Sequence, residues 1–364
     1  MTADILRSLF HLLAKYYDIC YNTSQECYSK GGILMYTIAV DAMGGDNAPQ
    51  AVVAGCIEAI NEYKDIKLII CGPKEKIKEL LGKDYDRIEI VDAQDVITNH
   101  DQPTMAIRRK SESSLVKAME LVKSGAAQGL VCAGSTGAVL AGGIFKVGRI
   151  RGIERPALAP LLPTVQGKPV MLIDCGANVD CKPQYLTNFA LMGTAYMRSV
   201  IGVKEPKVAL LNIGAEDEKG NELTKAAYPL LKEMTNINFI GNMEARDVLS
   251  GDADVLVCDG FAGNVLLKNT EGLASSLMSM MKVEFTSDFR SKIGALLLKP
   301  AFKRFKKRMD YTEYGGAPLL GVNGVIIKGH GSSNARAFSR AILQARNAIE
   351  SNLVGDIVSS IEKM

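Results

Sequence analysis

Two short segments place hydroxyl or imidazole groups between glycines. "GSTG" sets Ser135 and Thr136 between Gly134 and Gly137, and "GHGSS" sets His330 and Ser332 either side of Gly331. Glycine lets backbone N–H groups approach an anion with no Cβ in the way, and a following helix start adds partial positive charge. Both segments therefore read as cradles for phosphate oxygens. "VDAMGGDNAP" carries Gly44 and Gly45 between Asp41 and Asp46, and "DCGANVD" carries Asp174 and Asn178 in a related setting. For any one of these loops the alternative is a tight turn that binds nothing. Their recurrence favours a site for a phosphate-sized anion.

Five kinds of side chain in or beside these loops bear on chemistry. His330, one of only three histidines, could donate to an anion or shuttle a proton near neutral pH, or else orient its own loop. Lys219, in "GAEDEKGN", is a cation in a glycine-bounded loop, where solvation is the ordinary role. Asn264, in "DGFAGNV", stands at an expected helix start, as a routine cap or with its amide turned toward a carbonyl oxygen. Asp41, Asp46, Asp174 and Asp259 end apolar runs; four acids there could hold Mg²⁺ through waters, or cap loops and anchor N–H and lysine partners. Cys132, Cys175 and Cys258 lie at the ends of apolar runs, and read better as small buried groups than as nucleophiles. No GxSxG elbow, Walker A sequence or GxGxxG after the first apolar run is present. The pocket is built to hold phosphate with no evident protein nucleophile.

Each of these loops joins an apolar run to a segment of helical spacing. The pattern recurs at 36–49, 128–143, 168–183, 207–222, 253–268 and 324–338, as an architecture rather than a sequence repeat. Helical spacing continues over 50–63, 112–124, 183–200, 222–234 and 333–350, and further strands are expected at 66–72, 87–93 and 237–241. Alternation of this kind predicts a three-layer α/β/α, Rossmann-like body with a mostly parallel sheet covered on both faces. Ligands in such sheets bind beyond the carboxyl ends of the strands, where these loops lie. One continuous α/β domain is expected over 35–364, interrupted by a helical excursion at about 270–312.

The bulk numbers set limits. A chain of 364 residues with 47% hydrophobic content can bury a large core. A net charge of +3, 6% aromatic residues and no Trp give no support for nucleic-acid binding. The eight cysteines show no CxxC pairing, so neither zinc nor a disulfide framework is expected, and reduced thiols in the cytoplasm fit. No apolar run reaches transmembrane length. Residues 1–34 differ from the rest: "ILRSLFHLLAKYYDIC" has helical apolar spacing, without the basic start and cleavage site of a secretory signal. They read as an appended extension, with a membrane-surface helix as the alternative and Met35 a sensible start for the fold proper.

The excursion mixes two characters. Leu273, Leu277, Met281 and Phe285 fall on a four-residue spacing, and from Arg290 to Met309 there are basic residues and no acidic one. Lys303, Arg304, Lys306 and Lys307 crowd into "KRFKKR" beside Phe302 and Phe305. Such a stretch suits an anionic membrane surface or an acidic protein partner, or is a core-packing helix with solvated lysines.

Together, "AVDAMGGDNAP", "CAGSTGA", "VGRIRGIERPALAP", "DCGANVD", "NIGAEDEKGNELTK", "GNMEARD", "DGFAGNVLLK", "YGGAPLLG" and "HGSS" resemble the PlsX family, the phosphate acyltransferases of bacterial phospholipid synthesis. The motifs run in order from Met35 to near the end of the chain; Ser135 departs from them, standing where the family usually has Asn. The resemblance implies conversion of acyl-[acyl carrier protein] and inorganic phosphate to acyl phosphate, with no cofactor and no metal. It further implies a homodimer, a fold akin to isopropylmalate dehydrogenases and phosphotransacetylases, and a cytoplasmic protein attached peripherally to the inner membrane face. In that setting Lys219 steadies phosphate or the oxyanion, Asn264 donates to the tetrahedral oxyanion, and "KRFKKR" meets the acidic carrier or the lipid. The rival readings are a Mg²⁺-dependent decarboxylating dehydrogenase of the same fold class and a non-catalytic module binding lipid or carrier protein.

Overall fold

A computed structural model describes residues 34–309 and 314–363 of the chain, and the helical reading of the N-terminal extension lies outside these residues. Strand β1 (Tyr36–Asp41) is buried on both faces, as the continuous apolar run requires of a central parallel strand. It pairs in parallel with β2 (Ile66–Gly72) on one side and β4 (Gly129–Cys132) on the other. β3 (Ile88–Asp92) extends the sheet beyond β2, and β12 (Val325–Lys328) pairs in parallel with β4. Two antiparallel strands, β11 (Ala317–Leu320) and β5 (Ala157–Leu158), complete a seven-stranded sheet in the order β3-β2-β1-β4-β12-β11-β5.

The remaining strands form a second sheet of five. Its order is β6-β7-β10-β8-β9, with β7 (Pro169–Ile173), β10 (Val255–Val257), β8 (Lys207–Asn212) and β9 (Asn238–Glu244) parallel and β6 (Leu161–Pro163) antiparallel at the edge. The fold is thus α/β and mostly parallel, with its strands shared between two sheets. The break falls where the chain leaves β5 and turns back through β6, at Ala159 and the imino residue Pro160.

Helices cover the sheets. α1 (Gln50–Glu62) and α10 (Ala335–Glu350) lie together, tied by Arg336 to Glu62 at 3.0 Å. α6 (Pro183–Ser199) is buried along most of its length because it packs against β7, β8 and β10 of the second sheet and against neighbouring helices. One hydrophobic cluster accordingly holds Ile38 and Ile70 of the first sheet together with Met171, Val255 and Phe189. The Gln344 amide is buried at this junction and uses both ends: Nε2 donates to Tyr196 Oη at 2.9 Å and Oε1 accepts the Gly316 N–H at 2.7 Å.

The excursion is a continuation rather than an insertion. Helix α8 (Gly260–Phe285) starts in the loop after β10 and runs on through the Leu/Met stretch, and α9 (Phe289–Met309) returns. Asp288 caps the turn, accepting from Ser291 N at 2.9 Å, and Phe285 meets Phe302 with centroids 4.7 Å apart. Leu277, Val283, Phe289, Leu296 and Leu297 stay exposed on this hairpin. Among the described residues no helix is long and apolar enough to cross a membrane.

Candidate active site

The carboxyl ends of both sheets' strands meet across a cleft of about 340 Å³. β1 and β4 lie side by side while the chain departs from them in opposite directions along the sheet, the arrangement that opens a ligand crevice in open α/β sheets. Their loops touch: a Cβ on Gly44 would lie 2.5 Å from Asp41 Oδ2 and 2.7 Å from the Gly134 nitrogen. The β12 loop closes onto the β1 loop, with Asp46 N donating to Gly331 O at 2.8 Å and Asn47 Nδ2 to Ser332 O at 3.1 Å. Three of the expected loops thus form one body.

From this body Thr136, His330 and Gly331 line the cleft. Thr136 opens α5 (Thr136–Gly142), directly after Ser135. The Ser332 N–H points at His330 Nδ1 at 3.3 Å, and Ser332 Oγ lies 2.8 Å from the same nitrogen. A neutral His330 therefore carries its proton on Nε2. The serines do not open the helix as the spacing suggested: Ser333 Oγ turns back to His330 O at 2.7 Å, and Asn334 caps α10 by accepting from Ala337 N.

The second sheet supplies the facing wall. Asp259 caps α8, accepting from Ala262 N at 2.8 Å, so Asn264 is not the cap but stands one turn inside the helix and lines the cleft. Its position depends on Gly263, where a Cβ would fall 1.9 Å from the Asp174 carbonyl oxygen. Any larger residue would lift the first turn of α8 off the β7 loop. Leu161, Leu162 and Leu267 give this wall its apolar surface, which Leu158 of β5 continues.

Asp174 and Asn178 stand behind the cleft. Asp174 is fully buried and accepts from Leu158 N at 2.8 Å, Ala177 N at 3.3 Å, Asn178 N at 2.6 Å and Asn178 Nδ2 at 3.0 Å. Burial pushes its carboxyl up to about 6 against the pull of these donors. Asp41 is likewise buried, accepting from Ser114 Oγ at 2.6 Å, and burial raises its carboxyl as well. Both acids serve their own loops as acceptors. Among the described residues no three His, Cys, Asp or Glu side chains gather as a metal ion would need.

Lys219 lies in the exposed loop after β8 and does not line the cleft. Lys303 and Arg304 are exposed on α9, away from the cleft lining; the side chains of Lys306 and Lys307 lie outside the described residues. Cys132, Cys175 and Cys258 are buried core residues, with burial pushing the Cys132 thiol up to about 12 and the other two well above the ordinary range. Cys175 borders the cleft, yet its thiol is held in the unreactive protonated form.

Three lining residues escaped the sequence reading. Lys268 and Glu271 lie along α8 and pair at 2.8 Å. Lys328 ends β12 with its side chain buried at the cleft floor. Its signal was a lone cation closing an otherwise apolar strand, "VIIK", just before a glycine.

A polar floor of hydroxyl, imidazole and ammonium groups against an apolar wall is a site for an anion and a hydrocarbon together. Solved structures of similar fold include two transacylases. A phosphotransacetylase from Streptococcus pyogenes superposes with a TM-score of 0.56 at 18% identity, over 87% of this chain and 96% of that one. A branched-chain phosphotransacylase from Enterococcus faecalis V583 gives 0.52 at 16% identity, over 86% of this chain and 100% of that one. These likenesses carry the fold. Residues 36–355 match the family described as "Fatty acid synthesis protein". A phosphate acyltransferase of Clostridium acetobutylicum is 56% identical over 330 residues, 90% of this chain and 99% of that protein. The phosphate acyltransferase of Clostridium botulinum strain Loch Maree is 56% identical over 327 residues, 89% of this chain and 97% of that one. The chain belongs to this phosphate acyltransferase family, and it is an acyltransferase.

Proposed function

We propose that the cleft transfers an acyl group from the thioester of acyl carrier protein to inorganic phosphate, an early step toward phosphatidic acid. The observation that carries this reading is the union of an anion-holding floor with an apolar wall and no activated nucleophile between them. Phosphate is itself the nucleophile. One of its oxygens attacks the thioester carbon, a tetrahedral oxyanion forms, and the C–S bond breaks. The products are acyl phosphate and the carrier thiol, which takes the proton that hydrogen phosphate brought. Holding both reactants in one cleft supplies much of the barrier reduction. Thr136, His330 and the glycine loops hold phosphate, and Asn264, on the opposite wall, donates to the oxyanion. Lys219, in the exposed loop after β8, is the further cation we assign to steadying phosphate or the oxyanion.

The wider setting follows the same chemistry. The carrier is acidic, and Lys303 and Arg304 stand exposed beside exposed Leu296 and Leu297. That combination supports docking of the carrier or of an anionic lipid face, and hence peripheral attachment at the inner membrane; a cytoplasmic homodimer rests on the family resemblance alone. The test is incubation of acyl carrier thioester with inorganic phosphate, with and without chelator. Equal amounts of acyl phosphate and free carrier thiol are expected in both arms. Thiol release without acyl phosphate, dependence on metal, or isolation of the chain acylated on its own side chain would overturn the reading.

A further inference from the structure

The cleft contains two lysines in different circumstances. Lys268 is half exposed and already paired with Glu271 at 2.8 Å. Lys328 is only 8% exposed, and its Nζ donates to the carbonyl oxygens of Gly329 at 2.6 Å and Ala133 at 3.4 Å. Asp41 and Asp46 act on it through space rather than as hydrogen-bond partners. An ammonium carries three donors, so two carbonyls leave one for an acceptor in the cleft that Lys328 lines. A buried cation without a bonded counter-charge is costly, and is retained where a ligand completes it.

Strand register places this cation. Lys328 pairs level with Cys132, two residues before Gly134-Ser135-Thr136, and His330 follows two residues later. Both expected anion loops therefore flank a single ammonium.

We propose that Lys328 is the charged seat of the attacking phosphate, contacting one of its oxygens and holding it between the Thr136 and His330 loops. This rests on the reading that inorganic phosphate is the acyl acceptor. The carbonyls of Gly329 and Ala133 fix the ammonium in place, so phosphate binding costs little side-chain ordering. Lys268, neutralised by Glu271, has no equivalent role.

The test is Lys328→Met, which removes the charge and keeps the length, beside Lys328→Arg and, as control, Lys64→Met on the exposed surface. A hydrogen bond between charged groups is worth about 1.5–3 kcal/mol, so Lys328→Met should raise the KM for phosphate roughly ten- to a hundredfold. The KM for the acyl carrier thioester should stay within about twofold, since a uniform binding loss confined to one substrate leaves the other alone. Lys328→Arg should recover part of the loss, and Lys64→Met, at an exposed lysine outside the cleft lining, should leave the phosphate KM unchanged. Should Lys328→Met fail to fold, amidination of the wild-type protein read by peptide mass spectrometry replaces it: inorganic phosphate should shield Lys328 and not the exposed Lys64. An unchanged phosphate KM, or labelling of Lys328 indifferent to phosphate, in a protein that does make acyl phosphate overturns this assignment alone. A wild-type protein that makes none overturns the parent reading instead.

Discussion

Gly44 and Gly134, ninety residues apart in sequence, meet backbone to backbone, with only 2.7 Å between the Gly134 nitrogen and the position a Gly44 Cβ would take. This contact joins the loops after β1 and β4 at the cleft floor.

The contact predicts the effect of one methyl. Gly44→Ala would also set Cβ 2.5 Å from Asp41 Oδ2, and neither backbone nor a buried carboxylate can give way. A cost of about 1–3 kcal/mol is expected, as for other overpacked positions. Chemical denaturation should show it as a lower midpoint, with turnover lost through the displaced Thr136 loop. Gly272→Ala is the control: nothing lies within 4 Å of its Cβ, and the helix should be unchanged or firmer.

Asn264→Ala tests the oxyanion donor. Removing one such donor typically costs about 2.7–4 kcal/mol of transition-state stabilisation, so turnover should fall roughly a hundredfold or more. Asn264 is exposed, so the melting temperature should hardly move. Near-normal turnover would remove the role.

Asp174 gives a pH signature. Its carboxyl is pushed up to about 6 in the fold by burial, against about 3.9 in an unfolded chain. Between these values the native state binds the extra proton, so this group's contribution to stability is full below about pH 4 and is lost as pH rises through about 6. The ¹³C resonance of the Asp174 carboxyl should titrate with a midpoint near 6. A midpoint near 4, the ordinary carboxylate range, would show that the four N–H donors outweigh burial.

Neutralising Lys303, Arg304, Lys306 and Lys307 together separates the two partners proposed for the hairpin. The KM for carrier-bound acyl chains should rise, more at low salt than at high, because exposed charges act over a screened distance. A change in vesicle binding alone would assign the patch to lipid.

Much of the architecture was legible because long parallel strands and amphipathic helices announce themselves by period, and α1, α4 (Ser114–Lys123), α6, α7 (Glu222–Glu233) and α10 begin and end within two residues of the expected limits. The cleft residues Thr136, Asn264, His330 and Gly331 were legible because each belongs to a glycine-rich stretch that follows an apolar run, in the loop itself or in the first turn of the helix after it. The short antiparallel strands β5, β6 and β11 were not, since two to four residues carry no period. Asp41 and Asp174 looked like ligands, yet their oxygens are taken by Ser114 and by the β7 loop, contacts that only the folded chain discloses. Lys328 was hidden by its neighbours: three apolar residues before it made the whole segment read as core.

Helix α8 spans Gly260–Phe285, and its first turns carry Asn264 and Leu267 while its far end stands in solvent. At about 1.5 Å per residue it is a rod of roughly 40 Å. The place where bonds change and the place where a partner would take hold are thus two ends of one strut, with no joint between. Inserting two helical turns beyond Glu271 would carry the outer grip about 10 Å farther out and leave the amide where it is. On the proposed function, reach and reactivity are set by separate stretches of the same helix.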